Sequence, residues 1–286
     1  MNFKFSIITA NYNNGKFLPD LIESIRKQTY KNWELIITDD FSSDNSLAVL
    51  ENYSNDRRIK VFIHKKNQGA AAAFRTSVKN ATGDIIGMLG ADDALLPTAI
   101  EEMVFAHAKN TNASLICSNL YKCDENLNIL SVWENYKQPA QKGGLIFDIS
   151  VGSFATFKKN NYEQTEGFNP FFKKALDHDL YLKLEEVGMV VYFDKPLYLY
   201  RSNPIGISQN NEWMRALQYS TIAKKHAYHR RKASSFEVNL SHIQYANMLS
   251  LWHKREAQYF YTKKEIFKII LNQIKASWYR IISIFL

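Results

Sequence analysis

Residues 5–40 read FSIITANYNNGKFLPDLIESIRKQTYKNWELIITDD. Phe5 to Thr9 is a β-branched run, FLPDLIESIRKQ carries apolar residues at helical spacing, and WELIIT is a second β-branched run. Strand, helix and strand in this order predict two parallel strands joined by a right-handed crossover. The alternation continues through SLAVLENY, IKVFIH, AAAAFRTSVKNA, DIIGML, TAIEEMVFAHA and SLICS, over the first 120 residues. The expected class is α/β, a Rossmann-like, mostly parallel sheet with helices on both faces. Ligands of such sheets bind beyond the carboxyl ends of the strands.

Those ends are where the unusual residues gather. Ala10-Asn11-Tyr12-Asn13-Asn14 follows the first strand, Asp39-Asp40 the second, Asn67-Gln68-Gly69 the third and Gly90-Ala91-Asp92-Asp93 the fourth. Turn propensity accounts for part of this sorting. The adjacent carboxylates Asp92 and Asp93 repel unless solvent, a cation or a helix N-terminus compensates them, so a divalent metal and a solvated turn are both open readings.

With 286 residues, 46% of them hydrophobic, the chain is large enough for a sizeable core, which excludes a disordered or disulfide-stapled class. Its two cysteines, Cys117 and Cys123, fit neither a zinc framework nor a redox motif and read as buried thiols. His226 and His229 read as a solvated face of a basic helix. No signal peptide is apparent and no stretch approaches the roughly 20 apolar residues of a membrane span, so a cytoplasmic protein is expected. The net charge of +8 is uneven: residues 205–286 hold 13 Lys and Arg against 4 Asp and Glu, a balance of +9. Such a tail suits an anionic partner, phospholipid or nucleic acid. No RNA- or DNA-binding module is visible, so nucleic acid is not expected.

Residues 121–150 read as an irregular excursion with Pro139 and Gly143-Gly144; a strand, a short helix, a carboxylate-bearing turn, a helix from Asp179 and a closing strand follow. Beyond Asn203 the pattern is helical. In order and spacing, SIITANYNNGKFLPDLIESIRKQTYKNWELIITDDFSSDNS, NQGAAAAFR, TGDIIGMLGADDALLP, DHDLYLKLEEVG and YLYR resemble a family 2 glycosyltransferase of the GT-A fold. The resemblance covers residues 3 to about 203. It implies a catalytic domain over 1–204, with a nucleotide-binding half (1–120) and an acceptor-side half (121–204), followed by a basic amphipathic helical region over 205–286.

The resemblance also implies an inverting transfer from a UDP- or dTDP-sugar to a hydroxyl of a glycan or lipid-linked acceptor. Tyr12 can stack a flat base, with Ala10, Asn11, Asn67, Gly69 and Ala91 lining the nucleotide. By resemblance Asp40, not Asp39, accepts the N3–H of uracil or thymine, which cytosine and adenine lack. Asp39 is either a turn residue or a second contact. Asp92 falls on the ligand of a divalent metal, Mn or Mg, which neutralises the leaving diphosphate. Gly90 replaces a common first acid, which leaves the ribose contact of that acid to water or Asp93, and Asn203 replaces a common histidine, a departure that implies weak, exchangeable metal binding. Asp93 is read as a cap of the helix near Pro97, and Arg75 as a minor phosphate candidate. Asp177 falls on the catalytic base, able to take the proton of the attacking hydroxyl. Asp179 is read as a helix cap and His178 as solvent-facing.

The alternative function is a non-catalytic binder of nucleotide-sugar or of a lipid surface; donor hydrolysis separates the two. The tail segment KKEIFKIILNQIKASWYRIISIFL places Ile266, Phe267, Ile270, Leu271, Ile274, Trp278, Ile281, Ile282 and Phe285 on one helix face, with Lys264 near its edge and Lys268 and Lys275 opposite. That face suits an anionic membrane, peripherally on the inner face, or burial against the domain or a second subunit.

Overall fold

The computed structural model describes residues 3–203, 213–234, 236, 242–262 and 265–285. Strands β1 (Phe5–Asn11), β2 (Trp33–Asp39), β3 (Ile59–Ile63) and β4 (Ile85–Met88) are parallel, in the spatial order β3-β2-β1-β4. Every residue of β2 is buried, as the continuous run WELIITD requires of a strand covered on both faces. Asn11 pairs with Asp39 in register, which sets the two polar strand ends level.

Helices α1 (Leu18–Arg26), α2 (Ser46–Glu51), α3 (Ala70–Asn80) and α4 (Ala99–Lys109) make the crossovers. Helix α1 starts with Pro19 in its first turn and buries Leu18, Leu21, Ile22 and Ile25, the i, i+3, i+4, i+7 stripe. Each such burial contributes roughly 1.5–3 kcal/mol, so a charge at Ile22 would undo the packing. Helix α3 buries Ala71, Ala73, Phe74, Ser77 and Val78 against β1 and β2; its alanines serve close helix–sheet approach.

The other half of the sheet holds β5 (Ala94–Leu95), β6 (Ala113–Cys123), β7 (Ile129–Val132), β8 (Ala155–Lys158) and β9 (Met189–Arg201). The order continues β4-β8-β6-β9-β5: β8 runs antiparallel to β4 and β6, and β6 runs parallel to β9. Residues 121–150 are thus less irregular than expected. β7 folds back on β6 around Asp124, whose carboxylate accepts the amides of Asn126 (2.9 Å) and Asn128 (2.8 Å). All four residues of β7 are exposed, so no burial alternation marks it. Cys117 and Cys123 are free, buried thiols, as expected.

Five helices complete the described chain: α5 (Lys159–Glu163), α6 (Leu176–Val187), α7 (Trp213–Ala233), α8 (His242–Thr262) and α9 (Ile266–Phe285). α6 begins three residues before the expected Asp179, because Ala175 takes a left-handed conformation (φ 50°, ψ 33°) that breaks the preceding chain. α7 packs on α6 through Arg231, which is fully buried. Its guanidinium meets Glu185 at 2.8 Å and Glu186 at 3.0 Å, and donates to the carbonyls of Leu182 and Gly143. Ala223, Ala227, Met248, Leu249 and Trp252 share one core with Ile8, Phe157 and Leu180. The expected boundary between residues 204 and 205 lies outside the described residues, as do Lys264 and the side chains of Ile266, Phe267 and Phe285. Among the described residues no helix is long and apolar enough to cross a membrane.

Glu34 of β2 is a buried electrostatic joint. Its carboxylate accepts from Ser6 Oγ (2.7 Å), Lys60 Nζ (2.9 Å) and the Thr82 amide (2.6 Å). These bonds outweigh burial and hold its pKa down at about 2, below the ordinary 4.5. A depressed carboxylate stabilises the fold above the ordinary value and loses that contribution as pH falls towards 2. The lysine ends are solvated, so screening keeps the contribution to on the order of 2 kcal/mol. Urea unfolding of wild type against Glu34→Gln should show curves that converge between about pH 4.5 and 2; parallel curves would contradict the assignment.

Candidate functional site

At the carboxyl edge of β1 and β2, Asn11 is buried and donates from Nδ2 to Asp39 Oδ2 at 2.7 Å. Asp39 also accepts the Ser42 amide (2.9 Å) and hydroxyl (2.7 Å), the pattern of a turn-forming aspartate. Ala10 is half-buried behind this turn, and the Tyr12 ring is 48% exposed. Phe41, in the left-handed region at φ 68°, is a second exposed aromatic of the same edge. No periodicity announced it.

Asp40 is buried and richly partnered. One oxygen faces His64 Nδ1 at 2.6 Å, and the carboxylate accepts the amides of Gln68 (2.9 Å) and Gly69 (2.6 Å). His64 Nε2 meets Thr76 Oγ1 at 2.9 Å. The carboxylate thus ties the end of β2 to the Gln68-Gly69 turn that leads into α3. Gly69 sits at φ 90°, a conformation that side chains resist, which lets the chain turn into α3. Asn67 is exposed just before it. His64 was missed in the sequence, where it is only the residue after an apolar run.

The carboxylates after β4 part company. Asp92 is half-buried and accepts the Asn203 side-chain amide at 2.7 Å. Asp93 is buried, and accepts the Tyr198 hydroxyl (2.5 Å) and the Arg201 backbone amide (2.8 Å). Burial first, and the Asp92 charge second, push its pKa up to about 8. Asp93 is therefore not the cap of α4: Thr98 stands at that N-cap, with no side-chain cap bond, and Asp93 instead anchors β9. Gly90 follows from the same packing, since a Cβ there would lie 2.5 Å from Asp93 Oδ2. Arg201, buried, donates to the Asp92 carbonyl and to Asp20 (2.7 Å) and lies 4.6 Å over the Phe17 ring. The buried Ala91 completes this loop.

Among the described residues no three His, Cys, Asp or Glu side chains form a metal cluster. Asp92 offers one hard carboxylate, oriented by the Asn203 Nδ2–H that donates to it, a site of low protein denticity. That fits a divalent cation shared with an anionic ligand better than a closed protein cage.

Asp177 lies in the first turn of α6, half-buried, near Cys117. Burial, then the Asp177 charge, push the Cys117 thiol well up. Ala175 in its left-handed conformation sets the start of the helix that carries Asp177, a strained backbone position of the kind that gathers at functional sites. His178 is not solvent-facing, because Ser220 of α7 covers it: Nδ1 meets Ser220 Oγ at 2.8 Å, and burial lowers its pKa. Asp179 does not cap the helix either; the helix has already begun, and the buried Asp179 pairs with Lys183 at 2.7 Å. Arg75 is exposed and donates to the Phe168 carbonyl at 3.3 Å, tying α3 to the segment before α6.

Comparison with known proteins places this geometry. The model of "Glycosyl transferase family 2" matches residues 6–178, more than half of the chain. Chondroitin synthase of Escherichia coli is 33% identical over 197 residues, 68% of this chain but 28% of that relative's length. The chain likewise spans only 20% of the chondroitin and hyaluronan synthases of Pasteurella multocida. Glycosyltransferase GlyG of Streptococcus pneumoniae is 26% identical, with 96% of each chain covered. Among solved structures, S. aureus TarS 1-349 in complex with UDP-GlcNAc superposes with a TM-score of 0.66 at 15% identity, covering 97% of this chain and 91% of that one. The curled, mostly parallel sheet is the GT-A fold of these neighbours. This chain belongs to glycosyl transferase family 2.

Proposed function

We propose that the chain transfers a sugar from a UDP- or dTDP-sugar to a hydroxyl of a glycan or lipid-linked acceptor, with inversion, at the inner face of a membrane. The observation that carries the reading is Asp92, the more exposed carboxylate of its pair, held by Asn203 at the carboxyl end of β4. The UDP and UDP-GlcNAc complexes of the TarS neighbour, and the Mn2+ in a mannosyltransferase neighbour of TM-score 0.57, support the donor and metal classes. Asp92, oriented by the Asn203 amide, would hold a divalent Mn or Mg ion, which supplies charge neutralisation at the departing diphosphate. Tyr12 stacks the base and Asp40, oriented by His64, accepts its N3–H. Asp177 takes the acceptor proton as the hydroxyl oxygen attacks the anomeric carbon and the sugar–diphosphate bond breaks.

Calorimetry with UDP, dTDP, CDP and ADP, followed by donor hydrolysis with the matching sugars, tests this reading. UDP or dTDP should bind at least about 10-fold more tightly than CDP or ADP, because only uracil and thymine bring an N3–H to donate to Asp40. Equal affinities would overturn the base assignment, and binding without turnover would leave a non-catalytic binder.

A further inference from the structure

Helix α9 is inverted relative to an ordinary surface helix. Its side toward α8 carries Asn272 and Ala276, both buried: Ser250 Oγ donates to the Ala276 carbonyl at 2.8 Å, and His253 Nδ1 meets Asn272 Oδ1 at 3.0 Å. The His253 ring stacks on Tyr279. The opposite side presents Ile270, Leu271, Ile274, Trp278 and Ile281, with Ile274 and Trp278 each 61% exposed. At helical spacing these five form one continuous stripe. Lys268 and Lys275 stand exposed on one flank and Arg280 on the other, and α9 contains no acidic residue. Lys268 pairs with Glu265, and among the described residues Lys275 and Arg280 make no ion pair.

We propose that this stripe is a docking surface for an anionic lipid bilayer, with α9 lying in the interface plane. A second copy is the disfavoured occupant, because face-to-face pairing of two such helices would bring like cations together. Acidic headgroups neutralise those cations, and their long stems reach past the apolar stripe to the headgroup level. Trp278 and the four aliphatic side chains enter the acyl boundary. The inference goes beyond sugar transfer: vesicle binding and donor hydrolysis are separate readouts, and either can fail alone.

The test is co-sedimentation of the full chain with phosphatidylcholine vesicles, with and without phosphatidylglycerol, at low and high salt. The chain should bind the anionic vesicles at low salt at least about 10-fold better than the neutral ones. Ile274→Glu/Trp278→Glu should lose at least about 10-fold of that binding with donor hydrolysis unchanged. An intact chain that ignores anionic vesicles, or a folded double variant that still sediments, overturns the proposal. So does a dimer by light scattering that the double variant splits while vesicles remain unbound. Should the double variant not fold, Lys275→Gln/Arg280→Gln decides: loss of the preference for phosphatidylglycerol supports the proposal, and an unchanged preference overturns it.

Discussion

Asp177→Asn is expected to lower acceptor-dependent transfer by about 10²–10⁴-fold, the range for removal of a general base. Nucleotide affinity should stay within a factor of about two, because the donor loops after β1, β2 and β4 do not depend on this carboxylate. The amide keeps the shape of the side chain but accepts no proton at neutral pH. The loss should therefore fall on kcat more than on the KM for donor. Stability should hardly move, since Asp177 is half-buried, in contrast to Asp179 two residues on, which is buried against Lys183. Retained transfer, or a product of retained anomeric configuration by NMR, would dismiss Asp177 as the base of an inverting displacement.

The second large effect is expected at Asp92. Asp92→Asn should lower turnover by about 10²–10³-fold, since a Lewis-acid site contributes several kcal/mol to charge stabilisation. The melting temperature should stay within a few degrees, because Asp92 is half-buried and its carboxylate is held by the Asn203 amide rather than by the core. An independent readout is the affinity for Mn in the presence of UDP, which should fall at least about 10-fold. Unchanged Mn affinity in a folded variant would move the cation elsewhere. Asp93 offers a contrast: its carboxylate anchors Tyr198 and Arg201, so its replacement should show first as lost stability.

The sequence made the donor half legible because its signals are local. WELIITD announces a fully buried strand, and the Leu18, Leu21, Ile22, Ile25 stripe announces α1. The insertion of β8 between β4 and β6 was not legible, since strand order is fixed by contacts far apart in the chain. The same applies at the site. Asp92 could be singled out by its motif, but the bond between Asn203 and Asp92 spans 111 residues, and that between Tyr198 and Asp93 spans 105. The Asp40 motif carries no sign of His64, and the left-handed Ala175, which starts α6 before Asp179, leaves no mark in composition.

The family match ends at residue 178, one residue past Asp177, while Ser220 and Arg231, which brace α6, lie in α7 outside it. The helix that carries Asp177 is therefore braced from behind by a segment that the family model does not span. A change at Ser220 or Arg231 is thus expected to reach Asp177 through the helix that carries it, without any contact to Asp177 itself.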